Sequence, residues 1–104
     1  MTASTPADLA VTFRSLARRR GEAIGDADPA ALGDVLADLQ RHIERAAGLV
    51  GSAPDAAAVA AAIESRPADS WEGATLDALR QEALEAGVTL RRLAAAAEAQ
   101  QADA

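Results

Sequence analysis

The chain has 104 residues, a length that suits a single domain, and it carries a net charge of −6 and no cysteine. The acidic balance argues against nucleic-acid binding, for which a basic surface is typical, and the lack of cysteine excludes disulfides and cysteine-ligated zinc. Half of the residues are hydrophobic, but thirty of these are alanines and only two are aromatic. Because large apolar side chains are few, we expect a slim helical bundle or an oligomer that completes its core at an interface.

The first predicted helix covers residues 6–20. Thr5 is a suitable N-cap for it, and Asp8 stands at the N3 position of a capping box. Apolar residues recur on one face of this helix at Leu9, Phe13 and Leu16. The three arginines at positions 18–20 fall in the predicted last turn, where cations suit the helix dipole, and Gly21 is expected to end the helix.

The second predicted helix is capped by Asp28 and ends near Gly51. Its apolar residues alternate spacings of four and three, which is typical of a coiled-coil seam: Leu32, Leu36, Leu39, Ile43, Ala46 and Val50. A short third helix is predicted over residues 54–65, with Ser52 as its candidate cap. Pro67 then keeps the preceding residue out of helical geometry.

The fourth predicted helix begins near Ser70 or Thr75 and reaches about Gln100. It keeps the same spacing over three heptads, at Leu76, Leu79, Ala83, Ala86, Leu90, Leu93 and Ala97. Leu84 and Val88 form a second, smaller apolar edge. Seams of this length on helices 2 and 4 predict that the two helices pack antiparallel.

The expected fold is therefore all-α, a small bundle of three to four helices with helices 2 and 4 forming an antiparallel core. One domain spans residues 1–104, with frayed ends at 1–5 and 101–104. We expect a non-enzymatic protein–protein interaction module that forms a homodimer or binds a helical partner. The candidate interface residues are Leu36, Leu39, Ile43, Trp71, Leu79, Leu90 and Leu93. The pattern leaves open whether they face within the chain or across an interface.

Residues 80–94 are also similar to the first two helices of a bacterial helix-turn-helix, with Gly87 in the turn. That motif requires a recognition helix next, and the sequence continues instead into alanine-rich acidic residues. A single continuous helix through residues 80–94 preserves the heptad spacing, and we favour this interpretation. A transcription-related regulatory or accessory protein is the alternative function.

The only histidine, His42, lies on the flank of the second helix. A metal site there would need further ligands one turn away, where Arg45 and Ala46 stand instead. We therefore expect an exposed histidine with no catalytic or metal-binding role. The carboxylates of the fourth helix, Glu82 and Glu85 among them, follow no Glu-x-x-His pattern and are expected to be solvated.

Trp71 is the only tryptophan and lies between two predicted helices. There it is expected to close one end of the core, with its N–H bonded to a loop carbonyl. The run Trp71-Glu72-Gly73 resembles the Trp-x-Gly signature of the WXG family. The runs Asp28-Pro29-Ala30-Ala31-Leu32 and Ala74-Thr75-Leu76-Asp77-Ala78-Leu79 look like the openings of the family's two helical arms in actinobacterial members, so the resemblance covers roughly residues 28–100.

The WXG resemblance implies a helical hairpin that pairs as a four-helix dimer and is a substrate of type VII secretion. Pro54 and Pro67 interrupt the segment that corresponds to the first arm, and an additional helix precedes it. The family's C-terminal export signal contains a tyrosine, which this chain lacks. Export would therefore require a partner that carries the signal.

The sequence shows no phosphate-binding loop, nucleophile elbow or dinucleotide fingerprint. We accordingly expect no enzyme activity and no cofactor. The N-terminal residues lack the basic and apolar segments of a Sec signal, and no run of about eighteen apolar residues predicts a membrane span. We expect a cytoplasmic protein, or one exported by a route other than Sec, with no membrane, nucleic-acid or small-molecule partner.

Overall fold

A computed structural model describes residues 5–102 of the chain. Four helices are present there: α1 (Pro6–Ile24), α2 (Gly33–Val50), α3 (Ala56–Ser65) and α4 (Gly73–Ala102). Short 3-10 turns at Pro29–Leu32 and Ala68–Ser70 precede α2 and α4. Residues 5–102 contain no β-strand. The prediction of a small all-α bundle is confirmed.

The helix α4 packs against α2 on one side and α1 on the other, and α3 contacts both α1 and α2. The helices α2 and α4 run antiparallel, because Asp38 near the start of α2 meets Arg92 (3.7 Å), whereas Arg45 farther along meets Glu82 (3.9 Å). The prediction that helices 2 and 4 pack together as an antiparallel pair is confirmed.

All four helices contribute to one core. Both leucine seams face inward, and α1 and α3 add side chains of their own. The large buried residues are Leu9, Phe13, Leu16, Leu32, Leu39, Ile43, Val59, Ile63, Leu79, Leu90 and Leu93. The core is therefore broader than the two-helix seam that the heptads predict.

The helix α1 begins as predicted but ends later. Thr5 and Asp8 form the reciprocal capping box, with N–H to oxygen distances of 3.1 and 3.2 Å. The helix passes through Gly21 and ends at Gly25, whose φ of 51° suits glycine. The arginines at positions 18–20 consequently lie in the body of α1, so their predicted place in the last turn is wrong.

The helix α3 is capped by Asp55 and not by Ser52. The Asp55 carboxylate accepts the N–H of Ala58 at 3.2 Å, whereas the Ser52 hydroxyl donates to the carbonyl of Ala53 at 3.0 Å. The helix therefore begins at Ala56, later than predicted. An aspartate side chain at the N-cap also meets the positive end of the helix dipole.

The helix α4 is continuous through Gly87, so residues 80–94 form one helix and not a helix-turn-helix. It extends to Ala102, beyond the predicted end. Frayed ends are predicted at residues 1–5 and 101–104. Of these, residues 1–4 and 103–104 lie outside the described residues. Within the described chain, no helix has the length and apolar character that crossing a membrane requires.

Candidate functional site

Most of the predicted interface residues lie inside the chain. Those that are buried in the core are Leu39, Ile43, Leu79, Leu90 and Leu93. Leu36 and Trp71 are partly buried and pack against this core. A role for these residues in contact with another chain stays a prediction.

Trp71 packs at the junction before α4 and is covered by Arg66. The guanidinium carbon of Arg66 lies 4.3 Å from the centre of the indole ring, within cation–π range. Arg66 also donates to the hydroxyl and the carbonyl of Ser70, at 3.3 and 3.4 Å. The indole Nε1 is buried without a hydrogen-bond partner among residues 5–102. The predicted bond from Trp71 to a loop carbonyl is therefore wrong.

Two large apolar side chains of α4 face solvent one turn apart. Leu84 is 65% exposed and Val88 is 45% exposed. They correspond to the second apolar edge that the sequence predicts, and we call this pair the α4 ridge. Leu84 lines a groove of about 310 Å³ between α4 and α1. Both residues line a second groove, of about 430 Å³, between α4 and α2.

Four arginines line these grooves beside the α4 ridge, and we call them the arginine rim. Three of them border the α1 side and one borders the α2 side: Arg19, Arg80, Arg91 and Arg45. Arg80 pairs with Asp77 at 2.8 Å. No ion pair of Arg19 or Arg91 is found in the described part of the chain. The α1 side of the ridge thus has a positive border although the chain is acidic overall, whereas Glu85 stands beside Arg45 on the α2 side.

His42 is partly buried between α2 and α4, so the prediction of an exposed histidine is wrong. Its side chain is 17% exposed. Its Nδ1 lies 3.1 Å from Oε2 of Glu82 and 3.3 Å from Oε2 of Glu85. These glutamates are three residues apart and share one face of α4. We call the three residues the His42 cluster.

In both glutamates of the His42 cluster, the carboxylate oxygen that does not face His42, Oε1, has a neighbour of its own. Oε1 of Glu85 accepts a hydrogen bond from Nε2 of Gln81 at 2.9 Å. Oε1 of Glu82 lies 3.9 Å from Nη1 of Arg45. The Oε2 atoms are thereby directed at His42. Glu82 is 13% exposed, so its predicted solvation is wrong.

The His42 cluster is not evident from the second helix alone, because Glu82 and Glu85 belong to α4. The predicted antiparallel pairing of the two seams already places α4 residues opposite α2. A register drawn across that pair would have shown Glu82 and Glu85 as neighbours of His42.

The arrangement therefore presents two adjoining chemical features, which share the groove between α4 and α2. The α4 ridge and its arginine rim suit an apolar surface bordered by acidic groups. The His42 cluster combines an imidazole with two carboxylates, a set that suits a cation. No family model, curated protein or solved structure matches the chain.

Proposed function

We propose that the protein is a non-enzymatic interaction module that binds an acidic amphipathic helix of a partner protein along the α4 ridge. The main support is the exposure of Leu84 and Val88, one turn apart on a helix whose heptad seam is already buried. An apolar strip between two grooves matches the helix-in-groove mode of recognition, in which apolar anchors one turn apart enter a shallow cleft.

The charge of the arginine rim supports an acidic partner. Arg19 and Arg91 stand on one side of the α4 ridge and Arg45 on the other. Carboxylates along the α1-side edge of a docked helix would meet Arg19 and Arg91, whereas Glu85 beside Arg45 leaves the α2 side mixed in charge. In a two-fold contact that brings the α1 sides of two ridges together, Arg19 and Arg91 of one copy would face those of the other. Repulsion between like charges disfavours that homodimer, which supports a heterologous partner.

The proposal can be tested with a designed, dye-labelled helical peptide that has leucines at heptad spacing and glutamates along the edge that would face Arg19 and Arg91. We expect fluorescence anisotropy to show saturable binding. Burying a Leu or Val side chain contributes about 1.5–3 kcal/mol, and about 1.4 kcal/mol corresponds to a tenfold change in affinity. The double variant Leu84→Ser, Val88→Ser should therefore bind at least about tenfold more weakly.

The matched control is Val11→Ser. Val11 is 66% exposed on α1 and lines neither groove beside the α4 ridge, so this variant should bind as tightly as the original chain. The same peptide with lysines in place of glutamates should not bind, because it would face the arginine rim. Equal binding by all three proteins, or binding of the lysine peptide alone, would show that the proposed surface is wrong.

Duplex DNA serves as a further probe, since a positive border also attracts phosphates. We expect no binding at physiological salt, because Arg45 and Arg80 already have acidic neighbours. Tight, salt-sensitive binding of DNA through Arg19 and Arg91 would contradict the proposed interaction module. It would favour the alternative function, a transcription-related regulatory or accessory protein.

The WXG resemblance supports a second proposal, about the pathway. We infer that the chain travels through a type VII secretion system beside a partner that carries the export signal. The antiparallel pairing of α2 and α4, and the position of Trp71 directly before α4, support this inference. Export should cease in a strain without that system. Export that continues unchanged in such a strain would rule the pathway out.

A further inference from the structure

The His42 cluster lies at the contact between α2 and α4 and has a geometry that the interaction with a partner helix does not require. Its three ligand-type atoms, Nδ1 of His42 and one carboxylate oxygen each of Glu82 and Glu85, all lie within 4.8 Å of one another. The distances from Nδ1 to the two Oε2 atoms are 3.1 and 3.3 Å. In a tetrahedral zinc site with bonds of about 2.0–2.1 Å, neighbouring ligand atoms are about 3.3 Å apart.

We propose that His42, Glu82 and Glu85 bind one Zn²⁺ ion that joins α2 to α4. Imidazole and carboxylate are both ordinary zinc ligands, and three protein ligands leave a fourth position for water. Mg²⁺ prefers an octahedral set of oxygen ligands and is not expected to bind an imidazole.

The groups around the cluster already orient its ligands. Gln81 donates to Oε1 of Glu85 at 2.9 Å, and Arg45 lies 3.9 Å from Oε1 of Glu82. Each carboxylate therefore presents its second oxygen toward His42. Outer partners of this kind fix the direction of metal ligands and tune their affinity.

The charges of the cluster also favour a bound dication. Glu82 and Glu85 are neighbours on one face of α4, and their negative charges repel at this spacing. The Nδ1 of His42 has at most one proton to offer to their two oxygens. Arg45 contacts only the outer side of Glu82. A Zn²⁺ ion between the Oε2 atoms would offset the repulsion directly.

The site is accessible from solvent. The groove of about 430 Å³ between α2 and α4 is lined by His42 and Glu85, together with Thr89 and the α4 ridge. Glu85 is 41% exposed, so an ion can reach the cluster without opening of the core. The groove also has space for a water molecule as the fourth ligand.

The test is a titration of the full, tag-free chain with Zn²⁺ in competition with a chromophoric chelator. We expect one ion per chain, with a dissociation constant in the micromolar range or below. His42→Ala and Glu85→Gln should each weaken binding by about tenfold or more, since removing even an outer partner of a metal ligand costs about 10–100-fold in affinity. Glu44→Gln is the matched control, because Glu44 is an exposed carboxylate on the same helix as His42, and its affinity should not change. Excess Mg²⁺ should not displace Zn²⁺.

A second readout is thermal unfolding, because an ion bound only by the folded chain raises its melting temperature. At a Zn²⁺ concentration near the dissociation constant of the original chain, Zn²⁺ should raise Tm in that chain and in Glu44→Gln, and by much less in Glu85→Gln. If His42→Ala loses its helical circular dichroism signal, that variant is unfolded, and the comparison of Glu85→Gln with the original chain tests the proposal. An absence of Zn²⁺ binding, or binding that Glu85→Gln leaves unchanged, would overturn the proposal. Neither result depends on whether the α4 ridge binds a peptide.

Discussion

The beginning of α3 depends on one side chain, Asp55, which accepts the N–H of Ala58. Removing an N-cap costs about 1 kcal/mol. We therefore expect Asp55→Ala to lower the free energy of unfolding by about that amount in urea denaturation. Ser52→Ala, at the position first predicted to cap this helix, should change it by less than about 0.5 kcal/mol. A loss in Ser52→Ala as large as that in Asp55→Ala would show that the cap is misassigned.

Side-chain contacts between helices are the features that the sequence predicts least well. The contact of His42 with Glu82 joins residues forty positions apart, and it depends on the register of two helices and on side-chain rotamers. Local contacts are more readily predicted, as the capping box of Thr5 and Asp8 shows, because both partners belong to one helical turn.

At the scale of the element, α4 is a single helix because its apolar spacing continues on both sides of Gly87. A Cβ atom added to Gly87 would meet nothing within 4 Å outside its own helix. Gly87→Ala should therefore raise the free energy of unfolding by about 1 kcal/mol, the difference in helix propensity. Urea denaturation measures this change.

Gly51→Ala is the contrasting variant. Gly51 ends α2 with a φ of 70°, a conformation that costs about 1 kcal/mol or more in a residue with a Cβ. This variant should lose stability while Gly87→Ala gains it. A loss in Gly87→Ala as well would indicate a turn at Gly87, as the helix-turn-helix reading requires.

The ends of the elements were harder to predict than their apolar faces. The heptads identified which faces of α2 and α4 are buried, because apolar periodicity reflects burial directly. The sequence predicts the end of α1 too early because glycine is tolerated inside a helix at modest cost. The loop that follows α1 makes a tertiary contact, since the backbone N–H of Asp28 donates to the Gln100 side chain at 3.2 Å.

At the scale of the whole molecule, the bundle requires α1 as well as the two seams. Phe13 is fully buried among the helices, and replacing a buried phenylalanine by alanine costs about 3–5 kcal/mol. Because a small domain has a total stability of only about 5–15 kcal/mol, Phe13→Ala should move the urea midpoint strongly downward. Val11→Ala, on the exposed face of the same helix, should leave it nearly unchanged. A small effect of Phe13→Ala would mean that α1 is not part of the cooperative core.

The closure of four helices within one chain also determines which surface remains for a partner. The predicted all-α bundle with paired α2 and α4 followed from the two seams alone. The heptads could not distinguish a seam buried within the chain from one shared between chains, because both bury the same apolar face. The structure buries Leu39, Leu79 and Leu90 internally and leaves the α4 ridge exposed.

Molar mass by light scattering after size exclusion, over a dilution series, tests this account most directly. A closed bundle with a heterologous partner surface should have the mass of one chain, 10.6 kDa, at every concentration. A mass near twice that value that persists into the low micromolar range would contradict the account, because the seams or the α4 ridge would then be shared between two copies.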